Sequence, residues 1–150
     1  MRVLIDADAC PVTDIAIRAA KARSLKTVLF CDTSHVMQKA GAVTVTVDKG
    51  ADSADYKLVS YLQKGDAVVT QDYGLAAMAL ARGGLPISPG GMRYTDENIG
   101  SLLESRHLVK KLLRAGKRVK GPPKRTAEQD ETFRQAFELL LDETIRQNYS

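Results

Sequence analysis

Five short apolar runs punctuate the first ninety residues of this chain: Val3–Ile5, Thr27–Cys31, Val43–Val47, Ala67–Thr70 and Leu85–Ile87. Several are rich in valine, as strands buried on both faces should be. Segments with helical spacing separate them. Pro11 suits a first helical turn, and Val12, Ile15, Ala16, Ala19 and Ala20 recur at helical intervals up to Ala22. A shorter helical segment is expected around Val36–Ala40, ending at Gly41; another over Ala54–Gln63, closed by Gly65; a third over Leu75–Ala81, before Gly83-Gly84. Strands alternating with helices are joined by crossovers, so the expected fold class is α/β, with a mostly parallel sheet of about five strands. At 150 residues, the chain is sized for a single domain spanning 1–150.

Beyond Ile87 the pattern turns helical. "SPGG" reads as a loop, and Thr95 is expected to cap a helix with Asp96 and Glu97 in its first turn. Helical character should continue, with or without a break, through Leu102, Leu103, Val109, Leu112 and Leu113 to Gly116. "KGPPKR" at 120–125 cannot be helix, because two prolines and a glycine interrupt it. Thr126 and Gln129 match a capping box, and Phe133, Phe137, Leu140, Leu141 and Ile145 form an apolar stripe on a last helix over 126–147. That stripe is expected to pack on the sheet or on a second copy in a homodimer.

Charge is unevenly distributed. Residues 1–105 carry 11 Lys/Arg against 12 Asp/Glu, residues 106–125 carry nine against none, and residues 126–150 carry two against six. The basic helix-loop holds Arg106, Lys110, Lys111, Arg114, Lys117, Arg118, Lys120, Lys124 and Arg125. Such a block is either a solvated face or a contact surface for phosphates. It has no aromatic residue, so stacking on bases would fall to Tyr73 or Tyr94, while Arg93 in "SPGGMRY" offers another phosphate contact. The first apolar run is too short for a signal peptide or membrane helix, which predicts a cytoplasmic protein with no membrane partner. Two cysteines, Cys10 and Cys31, fit reduced thiols better than a disulfide framework or zinc site.

In a parallel sheet, ligands bind beyond the carboxyl ends of the strands, and aspartates recur there. Asp6 and Asp8 follow the first run, Asp32 the second, Asp48, Asp52 and Asp55 the third, and Asp72 the fourth. Gathered carboxylates repel one another, and a hard divalent cation, Mg²⁺ or Mn²⁺, relieves this and suits chemistry on phosphates. Each aspartate also has an ordinary reading: Asp52 or Asp55 as a helix cap, Asp32 as a turn former, Asp48 as a solvated strand end. Asp6, Asp8 and Asp72 resist it best. His35, on the loop after the second run, reads as a surface or turn residue, His107 has no better claim, and Cys10 reads as packing beside Pro11 rather than as a nucleophile.

The chain resembles the YaiI/YqxD family of small bacterial proteins. "DADACPV" at 6–12, "VDKGADSADYKL" at 47–58, "VVTQDYGLA" at 68–76, "RGG" at 82–84 and "RHLVKKLLRAGKRVKGPPK" at 106–124 carry the likeness. That family in turn resembles PIN and NYN nuclease domains, which implies a three-layer α/β/α fold, Mg²⁺ or Mn²⁺ as cofactor and nucleic acid as partner. By this resemblance Asp6 is the aspartate ending the first strand, Asp8 an additional carboxylate, Asp52 or Asp55 the acidic residue at a helix start, and Asp72 the aspartate of T-x-D. Tyr73 and Gly74 stand where many such domains place a further acid, a departure that leaves one metal or two open.

Three readings follow. The first is a metal-dependent nuclease acting on RNA, with Asp6, Asp8 and Asp72 catalytic and metal-binding, joined by Asp52 or Asp55. The second is a nucleic-acid-binding PIN-like protein without turnover. The third is a phosphatase of haloacid-dehalogenase type, using Asp6 as nucleophile and Asp8 as acid/base, although "DADAC" lacks the Thr or Val expected after the second aspartate.

Overall fold

The computed structural model describes residues 1–8, 10–32, 38–48, 53–117 and 124–148. In chain order they form β1 (Val3–Asp6), α1 (Thr13–Ala22), β2 (Thr27–Asp32), β3 (Val43–Val47), α2 (Ser53–Tyr61), β4 (Ala67–Val69), α3 (Tyr73–Ala81), β5 (Leu85–Ile87), α4 (Ile99–Arg114) and α5 (Ala127–Asn148). The five strands make one sheet in the order β3-β2-β1-β4-β5, and every pairing is parallel.

Alternate side chains of each strand serve opposite layers. Val3, Ile5, Leu29, Cys31, Ala67 and Val69 face α1 and α5, where Val12, Ala16, Ile17, Phe133, Phe137 and Leu141 close the core. Leu4, Val28, Phe30 and Val68 face Leu58, Leu62, Leu75 and Ala79, from α2, its C-terminal end and α3. The result is a three-layer α/β/α arrangement. α5 is bound to the sheet domain, the first of the two expected packings: Phe133 and Phe137 are fully buried in one core with Val3, Ile5 and Ala16, and Arg23 makes a two-pronged pair with Asp142 at 2.7 and 3.1 Å. Its start is the expected capping box, with Thr126 N donating to Gln129 Oε1 at 2.8 Å and Gln129 N to Thr126 Oγ1 at 3.2 Å.

Some expectations are corrected. β3 is an edge strand with Val43 half-exposed, not a strand buried on both faces. Thr95 caps a turn rather than a helix: its hydroxyl accepts from Asn98 N while its own N–H donates to Asn98 Oδ1, and α4 starts only at Ile99. α4 then runs unbroken to Arg114. Gln38 and Lys39 are not helical, and the rest of the segment expected over Val36–Ala40 lies mostly outside the described residues.

The topology prepares a site. From β1 the chain moves outward to β2 and β3, then returns to place β4 on the other edge of β1. Loops leaving β1 and β4 therefore diverge, and they open a crevice at the carboxyl ends of these two strands.

Candidate active site

Asp6 ends β1 and Thr70 directly follows β4, so the parallel register brings them side by side at the crevice. The Thr70 hydroxyl donates to Asp6 Oδ2 at 2.9 Å and accepts from the Asp72 N–H at 3.0 Å, linking both loops through one oxygen. The Thr70 carbonyl accepts from Tyr94 Oη at 3.1 Å, which holds the turn from below. Asp72 is extended at φ −87°, ψ 113°, and caps α3: its Oδ1 accepts from Gly74 N at 2.8 Å and Leu75 N at 3.2 Å. Asp8 Oδ2 accepts from Asp32 N at 3.2 Å, bracing the loop after β1 against the end of β2.

These loops enclose a cleft of about 540 Å³. Five aspartates line it, Asp6, Asp8, Asp32, Asp55 and Asp72, together with Gln71, Tyr73 and Arg106. A smaller hollow beside it shares Asp55, Asp72 and Arg106 and adds Tyr56 and Met78. Burial, opposed by the Thr70 hydrogen bond and reinforced by the Asp72 and Asp8 carboxylates, pushes the Asp6 carboxyl up to about 6. Burial also raises the Cys10 thiol, so it stays protonated at neutral pH, consistent with packing rather than nucleophilic attack.

The donor set is all oxygen, as a hard cation requires. Among the described residues, no three His, Cys, Asp or Glu side chains form a group that would by itself enclose an ion. Mg²⁺ does not need such a cage: it commonly binds through one or two carboxylates and keeps several waters. The residues thus fit a hydrated divalent ion held from the cleft walls.

Of the residues singled out in the sequence, the structure brings Asp6, Asp8, Asp55, Asp72 and Arg106 to this one cleft. Asp52, Arg118, Lys120 and His35 lie outside the described residues. Lys110, Lys111, Arg114, Lys117 and Lys124 are exposed. Arg93 is turned to α5, paired with Glu143 at 2.8 Å, and Arg125 pairs with Asp130 and donates to the Pro89 carbonyl at 2.7 Å. Tyr94 is 3% exposed and cannot stack on a base, whereas Tyr73 sits on the cleft wall with its ring 5.9 Å from that of Tyr94. Asp32 had an ordinary reading as a turn former, and its approach to Asp8 depends on strand order, which a local reading does not contain. Thr70 was legible only as a strand end, although a hydroxyl two residues before an aspartate is a turn-forming signal.

A family model described as "Uncharacterized BCR, YaiI/YqxD family" matches residues 4–143. Among curated proteins, a UPF0178 protein of Exiguobacterium sibiricum is 49% identical over 143 residues, covering 95% of this chain and 98% of its own. UPF0178 proteins of Ruminiclostridium cellulolyticum and Clostridium acetobutylicum are 45% and 43% identical, each over 94% of this chain and over 92% and 97% of their own. No solved structure gives a significant match. The matched span includes the Asp6 and Asp72 loops, α4 and most of α5, so fold and cleft are covered together, and the chain belongs to the YaiI/YqxD family.

Proposed function

We propose that this protein is a metal-dependent nuclease that hydrolyses phosphodiester bonds in RNA. The observation that carries this reading is a cleft at the β1/β4 crevice lined by five aspartates and one arginine, with the exposed cations of α4 continuing from that arginine. Asp6, Asp8, Asp55 and Asp72 are the residues that would hold Mg²⁺ or Mn²⁺. When bound, such an ion supplies Lewis-acid polarisation of the phosphodiester and a more acidic water. The chain's own work is positioning. Thr70 and Tyr94 fix the Asp6 and Asp72 loops, Tyr73 offers a ring on the cleft wall, and Lys110, Lys111, Arg114 and Lys117 hold the backbone of the substrate. The likeness to PIN and NYN domains supports the same chemistry.

A second reading, a nucleic-acid-binding protein without turnover, is favoured by the absence of a ready three-ligand cage among the described residues. Calorimetric titration of Mn²⁺ into the metal-free protein, beside an Asp6→Asn, Asp72→Asn variant of confirmed fold, separates them. The nuclease reading expects binding that the variant loses, and Mn²⁺-dependent cleavage of RNA by the wild type alone. RNA binding without Mn²⁺ binding even at millimolar concentration would establish the second reading instead.

A further inference from the structure

We propose that Arg106 is the counter-cation of Asp72 in the metal-free cleft: its guanidinium and a divalent ion compete for the Asp72 carboxylate, and ion binding frees Arg106 for a substrate phosphate. The inference rests on the reading of the cleft as a cation site and adds to it a built-in exchange of partners.

Arg106 is the only cation among the described residues lining the cleft, facing five carboxylates. Its Nη1 lies 3.2 Å from Asp72 Oδ1. That oxygen already accepts from two backbone N–H groups in the first turn of α3, at 2.8 and 3.2 Å. The backbone donors are fixed by the helix, and a carboxylate oxygen has only two lone pairs. The guanidinium is therefore the exchangeable partner. Its side chain is 45% exposed, and no residue of α4 is buried, so solvent reaches the pair.

The room for this contact is built in. A Cβ at position 74 would stand a tight 3.2 Å from Asp72 Oδ1 and in ordinary contact, 3.6 Å, with Arg106 Nη1, so Gly74 leaves slack beside the pair. Arg106 is also the first member of a row. Lys110 and Arg114 follow at successive four-residue steps on the same flank of α4. A guanidinium released from Asp72 stays at the cleft and becomes the innermost cation of that row, where phosphate oxygens offer it a fork-shaped acceptor.

The test is calorimetric titration of Mn²⁺ into wild type, Arg106→Gln and Arg114→Gln, with circular dichroism confirming that each is folded. Arg114→Gln removes the same charge from the same helix, two turns further from Asp72. Competition predicts that Arg106→Gln binds Mn²⁺ roughly two- to tenfold more tightly than wild type, the range expected when an exposed ion pair no longer opposes the ligand, while Arg114→Gln stays within about twofold. Mere loss of structure would weaken binding instead. If Arg106→Gln binds no more tightly, or Arg114→Gln tightens as much, competition is wrong and the cation site survives. If no protein binds Mn²⁺, the cation site falls, and the competition with it.

Discussion

Asp6 concentrates the cost of building this cleft at a single carboxyl. Its ordinary value of 3.8 is raised to about 6 in the folded chain, first by burial and then by Asp72 and Asp8. Folding therefore favours its protonated form. Stability from this group is fully present below pH 3.8 and is lost as pH rises through about 6, after which ionised Asp6 opposes folding by at most about 3 kcal/mol. Asp6→Asn, whose amide oxygen can still accept from Thr70, is expected to raise the unfolding free energy of the metal-free protein by about 1–3 kcal/mol near neutral pH and by nothing below about pH 4. Urea denaturation in the presence of a chelator at the two pH values checks this; an equal change at both would show that Asp6 contributes packing rather than charge. Mn²⁺ should then stabilise wild type and leave the variant nearly unmoved. The importance of Asp6 was legible in the sequence, since a strand ending in aspartate aims a carboxylate at the sheet edge. The special position of Arg106 was not: it rests on the 3.2 Å approach to Asp72, which no local signal in the basic segment contains.

The elements behave as their local signals direct wherever those signals act locally. The Thr126–Gln129 box starts α5, the apolar stripe of that helix meets the sheet, and all five apolar runs become strands. What remained illegible depends on neighbours distant in sequence. Val43–Val47 has the composition of a central strand, but strand order puts it at the edge. α3 begins two residues before its alanine-rich stretch because Asp72, read as a site residue, is also its cap. These two roles separate by substitution. Asp72→Ala removes both and should cost roughly 0.5–2 kcal/mol of stability, whereas Asp72→Asn keeps a side-chain oxygen for Gly74 N and Leu75 N and should cost only a few tenths. Both should lose Mn²⁺ binding. Thermal unfolding and metal titration of the pair decide it: if Asn destabilises as much as Ala, the charge and its pairing with Arg106 matter more to α3 than the cap.

At the scale of the molecule, charge is sorted by layer. Four of the six acidic residues of α5 are engaged within the fold: Glu138 and Asp142 with Arg23, Glu143 with Arg93, and Asp130 with Arg125. Lys110, Lys111 and Arg114 instead stand exposed on α4, on the side of the sheet that carries α3 and beside the acidic cleft. The α5 carboxylates so engaged are not spent on Lys110, Lys111 or Arg114, whereas Arg106 of the same helix is paired with Asp72. A solvated face and a phosphate track differ in one measurable respect, the release of counterions on binding. If α4 holds the substrate, replacing Lys110, Lys111 and Arg114 by Gln removes up to three phosphate contacts. The slope of log affinity against log salt for a single-stranded RNA should then become shallower by about 2, at roughly 0.7 per contact. Asp6→Asn should leave that slope unchanged, because it alters the cleft and not the track. Fluorescence anisotropy of a labelled RNA at several salt concentrations reads both effects. A triple variant with the wild-type slope would remove α4 from the binding surface and leave its charge as a solvated face.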